Sequence, residues 1–240
     1  MKIGTMISEI GFSNLPLLFR RAGLDFFILD AEHGGFDYRE ISGTIVTAKL
    51  AGIECVVRLP DNARRDITRF LDMGADGLLL PMTDCAEDIR RVVSYAKYAP
   101  LGRRGISTMR AHTLYNPPPL AAYMESANER VKVFAQIETR SGVEHAIEIL
   151  SVEGVSGALI GPNDLSCDYG CLQSDGAGEI FTAIETVAAA ARDREKLAGI
   201  ITANPNYIQK GVSCGMEYFS VGSELSMLSA GAKKISAMFR

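Results

Sequence analysis

Short runs rich in apolar residues alternate with longer stretches in which apolar residues recur every three or four positions, from one end of the chain to the other. Such short runs read as strands buried on both faces, and the longer periodic stretches read as amphipathic helices. The strands are expected at residues 2–6, 26–30, 54–58, 77–80, 131–137, 157–160, 198–201 and 218–221. Helices are expected at 14–22, 38–51, 63–73, 86–98, 142–150, 177–194, 205–214 and 226–239. One helix follows each strand, which is the order of a right-handed parallel βα array.

A repeated punctuation supports this reading. Ala22-Gly23-Leu24-Asp25, Ala51-Gly52-Ile53-Glu54, Met73-Gly74-Ala75-Asp76 and Cys214-Gly215-Met216-Glu217 each close a helical pattern and open a strand, with glycine as the helix terminator. Eight such units in 240 residues favour a closed (β/α)8 TIM barrel of the α/β class, a single domain over residues 1–240. No GxGxxG follows any strand, which weighs against a dinucleotide fold. Residues 98–119 break the rhythm with Pro100, Gly102, Gly105 and Pro117-Pro118-Pro119. A loop of that length is usually functional or an assembly element, and a short helix over 120–127 follows it.

Composition narrows the partners. The 25 basic and 29 acidic residues leave a net charge of −4. Arg64-Arg65, Arg90-Arg91 and Arg103-Arg104 are isolated pairs, so neither nucleic acid nor an anionic membrane is an expected partner. No secretory leader is read in the opening residues, and no apolar stretch has the length of a membrane span, so a cytoplasmic location is expected. Of five cysteines only Cys167 and Cys171 lie close in sequence, and no second pair completes a zinc site; reduced thiols are expected.

Active sites of βα barrels lie at the C-terminal ends of the strands. There the sequence places Asp30, Glu32 and His33 after the second strand, Arg58 after the third, Asp84 after the fourth, Gln136 and Glu138 on the fifth, and Gly161-Pro162-Asn163-Asp164 after the sixth. Glu138 and Asp164 would stand on adjacent strand ends and could share one hard cation such as Mg2+ or Mn2+; the alternative is that Asp164 caps a short helix and Glu138 pairs with Arg140. Arg58 offers a fixed fork of donors to a carboxylate ligand, or else pairs with Asp30 or Glu32. His33 reads as a base, a metal ligand or a loop histidine; His112 and His145 read as structural or surface groups. Gly222-Ser223 reads as a phosphate site or a plain helix cap. None of the eight lysines ends a strand, so carbonyl chemistry would run through a metal rather than a Schiff base.

Residues 27–34, Val57-Arg58, the stretch from Asp72-Met73-Gly74-Ala75 to Pro81-Met82, Gly102-Arg103-Arg104-Gly105, Gln136-Ile137-Glu138 and Gly161-Pro162-Asn163-Asp164-Leu165-Ser166 stand in an order and spacing that resemble the HpcH/HpaI aldolase family. The resemblance implies a class II, metal-dependent pyruvate aldolase. In it His33 would be the general base with Asp84 as its partner, and Arg58 would bind the pyruvate end. Glu138 and Asp164 would hold a divalent cation (Mg2+, Mn2+ or Co2+) with Gln136 beside them. Backbone N–H groups of residues 161–164 would receive the substrate carboxylate, while Asp30 and Glu32 would support His33 and the metal's waters. It also implies a hexamer built as a trimer of dimers that exchange the last helix. Against the family pattern, residues 167–173 lack an expected proline-containing loop, and the chain has no tryptophan.

The expected reaction is cleavage of a 4-hydroxy-2-oxo acid to pyruvate or a close 2-oxo acid plus an aldehyde, reversible by aldol addition. The alternatives are an acyl-CoA lyase or synthase of the citrate-lyase and malyl-CoA-lyase type, and a barrel that binds a 2-oxo acid without turnover.

Overall fold

A computed structural model describes residues 1–172 and 177–239, so Gln173 lies outside the described residues. Eight parallel strands hydrogen-bond in sequence order and close on themselves: β1 (Lys2–Ile7), β2 (Phe26–Asp30), β3 (Glu54–Arg58), β4 (Gly77–Leu80), β5 (Lys132–Ile137), β6 (Gly157–Ile160), β7 (Leu197–Ile201) and β8 (Tyr218–Ser223). The TIM barrel expected from the alternating pattern is the observed architecture. Every predicted strand is present, with ends that move by at most two residues.

The helices around it are α1 (Leu15–Arg21), α2 (Tyr38–Ala51), α3 (Arg64–Met73), α4 (Ala86–Ala96), α5 (Leu120–Arg130), α6 (Arg140–Glu144), α7 (Ala146–Leu150), α8 (Pro162–Asp168), α9 (Ala177–Asp193), α10 (Pro205–Ser213) and α11 (Glu224–Ser236). The single helix expected over 142–150 is two. The backbone turns at His145, whose Nδ1 sits 2.9 Å from the Ser141 carbonyl.

Continuous apolar strands follow from burial on both faces. Phe26, Ile28, Val56, Leu79, Phe134, Leu159 and Tyr218 point inward and fill the barrel. Their alternate neighbours, among them Phe27, Leu29, Val57, Leu78, Val133 and Ile160, pack outward against the helices. The lower end is plugged by charge. Lys2 and Lys132 (2.7 Å) both donate to Glu54 Oε2, and both ammonium groups lie over the Tyr218 ring. At the upper end the inward side chains become Asp30, Arg58 and Gln136, all buried, and the site begins there.

Residues 97–119 contain only a single 3-10 turn, Ala111–Thr113. The segment is nevertheless fixed by buried polar contacts. Arg104 donates to Asp72 (2.9 Å) and stacks on Tyr98, while His112 Nδ1 meets the Tyr123 hydroxyl at 2.7 Å and Nε2 meets the Ser107 carbonyl at 3.0 Å. His112 and His145 are thus structural.

Candidate active site

Strand register sets the site. Asp30 and Arg58 are paired across β2 and β3, so both side chains enter the barrel mouth at one level. Arg58 Nε and Nη2 donate to the two oxygens of Asp30 at 2.9 and 2.6 Å, and Glu32 Oε2 lies 3.3 Å from the same Nε. The carboxylate pairing considered for Arg58 therefore exists. It commits only two of the five N–H donors of the guanidinium, leaving the fork able to meet a ligand as well. Burial alone would raise the Asp30 pKa, but the Arg58 guanidinium and the N–H groups of His33 and Glu32 outweigh it, and the carboxyl sits below its usual range. Asp30 Oδ1 receives those two N–H groups at 3.2 and 3.1 Å, which fixes the turn carrying His33. Burial holds Glu32 above its usual range despite Arg58.

The His33 side chain is 74% exposed at the mouth, with Nε2 3.9 Å from Glu32 Oε2. Among the described residues no hydrogen bond joins it to Asp84. The Asp84 carboxylate accepts from the Thr139 hydroxyl, which itself caps α6 by accepting from the Gly142 N–H at 3.0 Å.

Glu138 follows β5 directly and is 3% exposed. Its Oε1 accepts from the Met82 N–H at 2.7 Å and its Oε2 from Gln136 Nε2 at 2.5 Å. Burial pushes its pKa up to about 7; the Asp164 and Glu32 carboxylates add to the rise, and the Met82 and Gln136 donors oppose it. Met82 holds a left-handed backbone (φ 46°), a strained conformation for a residue with a Cβ, and thereby presents its N–H to Glu138. A Cβ on Gly161 would fall 2.7 Å from Glu138 Oε2, so only glycine leaves room for this carboxylate. The pairing of Glu138 with Arg140 does not form; the Arg140 guanidinium stacks on Tyr169 instead.

Gly161 is the N-cap of α8, with Pro162 at its first position and Asp164 in its first turn. The Gly161 N–H is bonded to the Ile137 carbonyl at 3.0 Å, and proline has none. Of the four residues expected to offer amides to a carboxylate, Asn163 and Asp164 are left to do so, and both are exposed. Ser223 is a plain helix cap, bonded reciprocally with Ser226.

The residues fit a hard divalent cation. Among the described residues no group of three His, Cys, Asp or Glu is arranged around one point. Two carboxylates, with water and substrate oxygens for the rest, are what Mg2+ commonly takes from a protein. Gln136 Oε1, buried and without a partner, is a further oxygen beside Glu138.

Residues 18–230 match the family model described as HpcH/HpaI aldolase/citrate lyase. The chain belongs to this family. Its members are aldolases and related carbon–carbon lyases, as the sequence led us to expect. The chain is 33% identical over 219 residues to the hydroxypyruvate/pyruvate aldolase of Roseovarius nubinhibens, covering 91% of this chain and 85% of the relative. It is 32% identical to the 4-hydroxy-2-oxo-heptane-1,7-dioate aldolase of Escherichia coli, over 91% and 83% of the two chains. The crystal structure of an HpcH/HpaI aldolase from Desulfitobacterium hafniense superposes with a TM-score of 0.92 at 31% identity, over 99% of this chain and 92% of that one.

Sequence reasoning missed one contributor: the Met82 N–H is a backbone group, visible only once a strained φ aims it at Glu138.

Proposed function

We propose that this family member cleaves a 4-hydroxy-2-oxo acid to pyruvate, or a close 2-oxo acid such as hydroxypyruvate, and an aldehyde, with a divalent cation held by Glu138 and Asp164. The observation that carries this reading is Glu138: a carboxyl buried at the barrel mouth, raised to about 7 by that burial first and by the charges of Asp164 and Glu32 after it, with an unpartnered amide oxygen alongside. A buried carboxylate is costly unless an opposite charge joins it, and a cation at Glu138 would supply that charge. The names of the relatives support it: one is a hydroxypyruvate/pyruvate aldolase, the other acts on a 4-hydroxy-2-oxo acid. When bound, the cation supplies Lewis acidity toward the 2-oxo group.

The chain's own residues do the rest. Arg58, steadied by Asp30, turns its remaining donors toward the negative charge that develops on the 2-oxo oxygen as the C3–C4 bond breaks. His33 takes the proton of the 4-hydroxyl and returns one to the donor carbon. The amides of Asn163 and Asp164 receive the carboxylate. The pairing of Asp84 with His33 rests on the family resemblance; within this chain Thr139 holds the Asp84 carboxylate. A cytoplasmic homo-oligomer, a hexamer of exchanged-helix pairs, is part of the proposal, and the exposed apolar residues of α11 support it.

The test is pyruvate release from a panel of 4-hydroxy-2-oxo acids with and without EDTA, followed by added Mg2+, Mn2+ or Co2+. Loss on chelation and recovery with metal is expected. Activity indifferent to EDTA overturns the metal role, and turnover of CoA esters alone replaces the aldolase reading with the acyl-CoA one. Replacing His33 with Ala should lower kcat by about 10²–10⁴-fold, the scale of a lost acid–base group; a near-normal rate removes His33 from the mechanism.

A further inference from the structure

Glu224 opens α11 and is the one buried residue of that helix, at 4% exposure. A glutamate in a first turn ordinarily faces water and complements the helix dipole. This one turns inward across the barrel rim. Its Oε1 accepts three successive backbone N–H groups, those of Ser8 (2.8 Å), Glu9 (2.7 Å) and Ile10 (3.1 Å), in the loop that leaves β1. Its Oε2 is buried with no partner, a state that costs free energy and is not explained by the start of the helix. Ser223 and Ser226 already cap α11 between themselves, by bonds of 2.9 and 3.3 Å.

The loop that Glu224 gathers lies against the turn that carries His33. A Cβ on Gly34 would fall 2.9 Å from the Ser8 carbonyl oxygen and 2.2 Å from that of Asp30, so the two backbones are in close contact at the residue after His33. On the other side of the turn, Asp30 Oδ1 holds the N–H groups of Glu32 and His33. The His33 ring is largely exposed, and its placement is therefore set by its backbone: by the Asp30 carboxylate and by the close approach of Ser8 at Gly34.

We propose that Glu224 is a positioning residue for His33, acting through the loop of residues 8–10 and Gly34, so that the terminal helix forms part of the catalytic apparatus. The assignment rests on His33 being the base in the reaction proposed above. It differs from a general packing role because one acceptor oxygen, rather than buried area, does the holding. An amide oxygen in the same place can do it too, whereas a methyl group cannot.

The test compares Glu224→Ala and Glu224→Gln with the wild-type protein, by amide hydrogen exchange, thermal unfolding and steady-state kinetics with the cation present. In the Ala variant exchange should quicken at residues 8–10 and 33–34. Its kcat should fall by up to about 100-fold, the scale of a misplacement near 1 Å, while KM for the 2-oxo acid stays close to wild type; the unfolding temperature falls with the three lost hydrogen bonds and is restored, with the rate, in the Gln variant. The Gln variant should recover most of both the protection and the rate. Unchanged exchange at residues 8–10 and 33–34 in the Ala variant overturns the proposal whatever the assay gives. A wild-type kcat in the Ala variant, or a Gln variant as slow as the Ala variant, overturns it as well. A wild-type protein that releases no pyruvate defeats the aldolase reading instead, and the exchange measurement still decides whether Glu224 fixes the two loops.

Discussion

Gly161 lacks a side chain where Glu138 needs the space. A methyl group on Gly161 would stand 2.7 Å from Glu138 Oε2, so Gly161→Ala must push the carboxylate aside or shift the start of α8. The expected result is a loss of about 10- to 100-fold in divalent-cation affinity, the usual cost of disturbing the groups that orient a ligand, measured by calorimetric titration. Affinity equal to wild type would take Glu138 out of the cation site. At this scale the sequence was informative where charge stood at a strand end: Asp30, Arg58 and Glu138, expected there, are buried at the barrel mouth, whereas Asp164 is exposed in the first turn of α8. The partners of those charges were not. Whether Arg58 meets Asp30, and whether Glu138 meets Arg140 or Met82, depends on strand register and a single left-handed φ, and neither is encoded locally.

At the scale of elements, the segment between α4 and α5 had no periodicity to read, yet it is well held. His112 is buried between Tyr123 and the Ser107 carbonyl. Its Nε2 must donate to that carbonyl, so in the neutral ring Nδ1 accepts from the Tyr123 hydroxyl. Burial, together with the nearby Arg104, Lys49, Arg130 and Arg110 cations, lowers its pKa to about 4 from the ordinary 6.5. The unfolded chain therefore takes up a proton at this ring before the folded chain does. The stability contributed by neutral His112 is complete above pH 6.5 and is lost as pH falls from there toward 4. The loss is on the order of 3 kcal/mol at most. Thermal unfolding of wild type and His112→Gln between about pH 7.5 and 4.5, a span that brackets the unfolded-state titration, checks this: wild type should lose the advantage it holds at the upper end. Parallel curves for the two proteins would show that His112 does not titrate between the folded and unfolded states in this range. The helix predicted over 120–127 extends to Arg130, and Asn128 in its added turn accepts from the Tyr98 N–H at 2.7 Å and donates to the Tyr98 carbonyl at 3.0 Å, which ties that turn to the loop.

At the scale of the whole molecule, α11 leaves apolar side chains uncovered. Leu225, Met227, Leu228 and Ile235 are 42 to 63% exposed along it. Apolar surface gathered in this way is the usual mark of a contact with another chain. Sedimentation velocity should find an assembly larger than one chain, and the double variant Leu228→Glu, Ile235→Glu should shift it toward monomer. A monomeric wild type would overturn the assembly proposed here. Because Glu224 begins the same helix and holds the loop beside Gly34, the double variant should also slow turnover if docking of α11 and placement of His33 are linked.

The sequence by itself determined the eight-fold βα order and which charged side chains stand at the C-terminal ends of the strands. Those follow from apolar periodicity and the cost of burying charge, both of which are properties of short stretches of chain. Only the tertiary structure decided which charges touch, that Gly161 makes room for Glu138, that His112 is neutral under its loop, and that Glu224 reaches back from the last helix to the amides after β1. These depend on barrel closure, which brings the first and last strands side by side through contacts that no local pattern records.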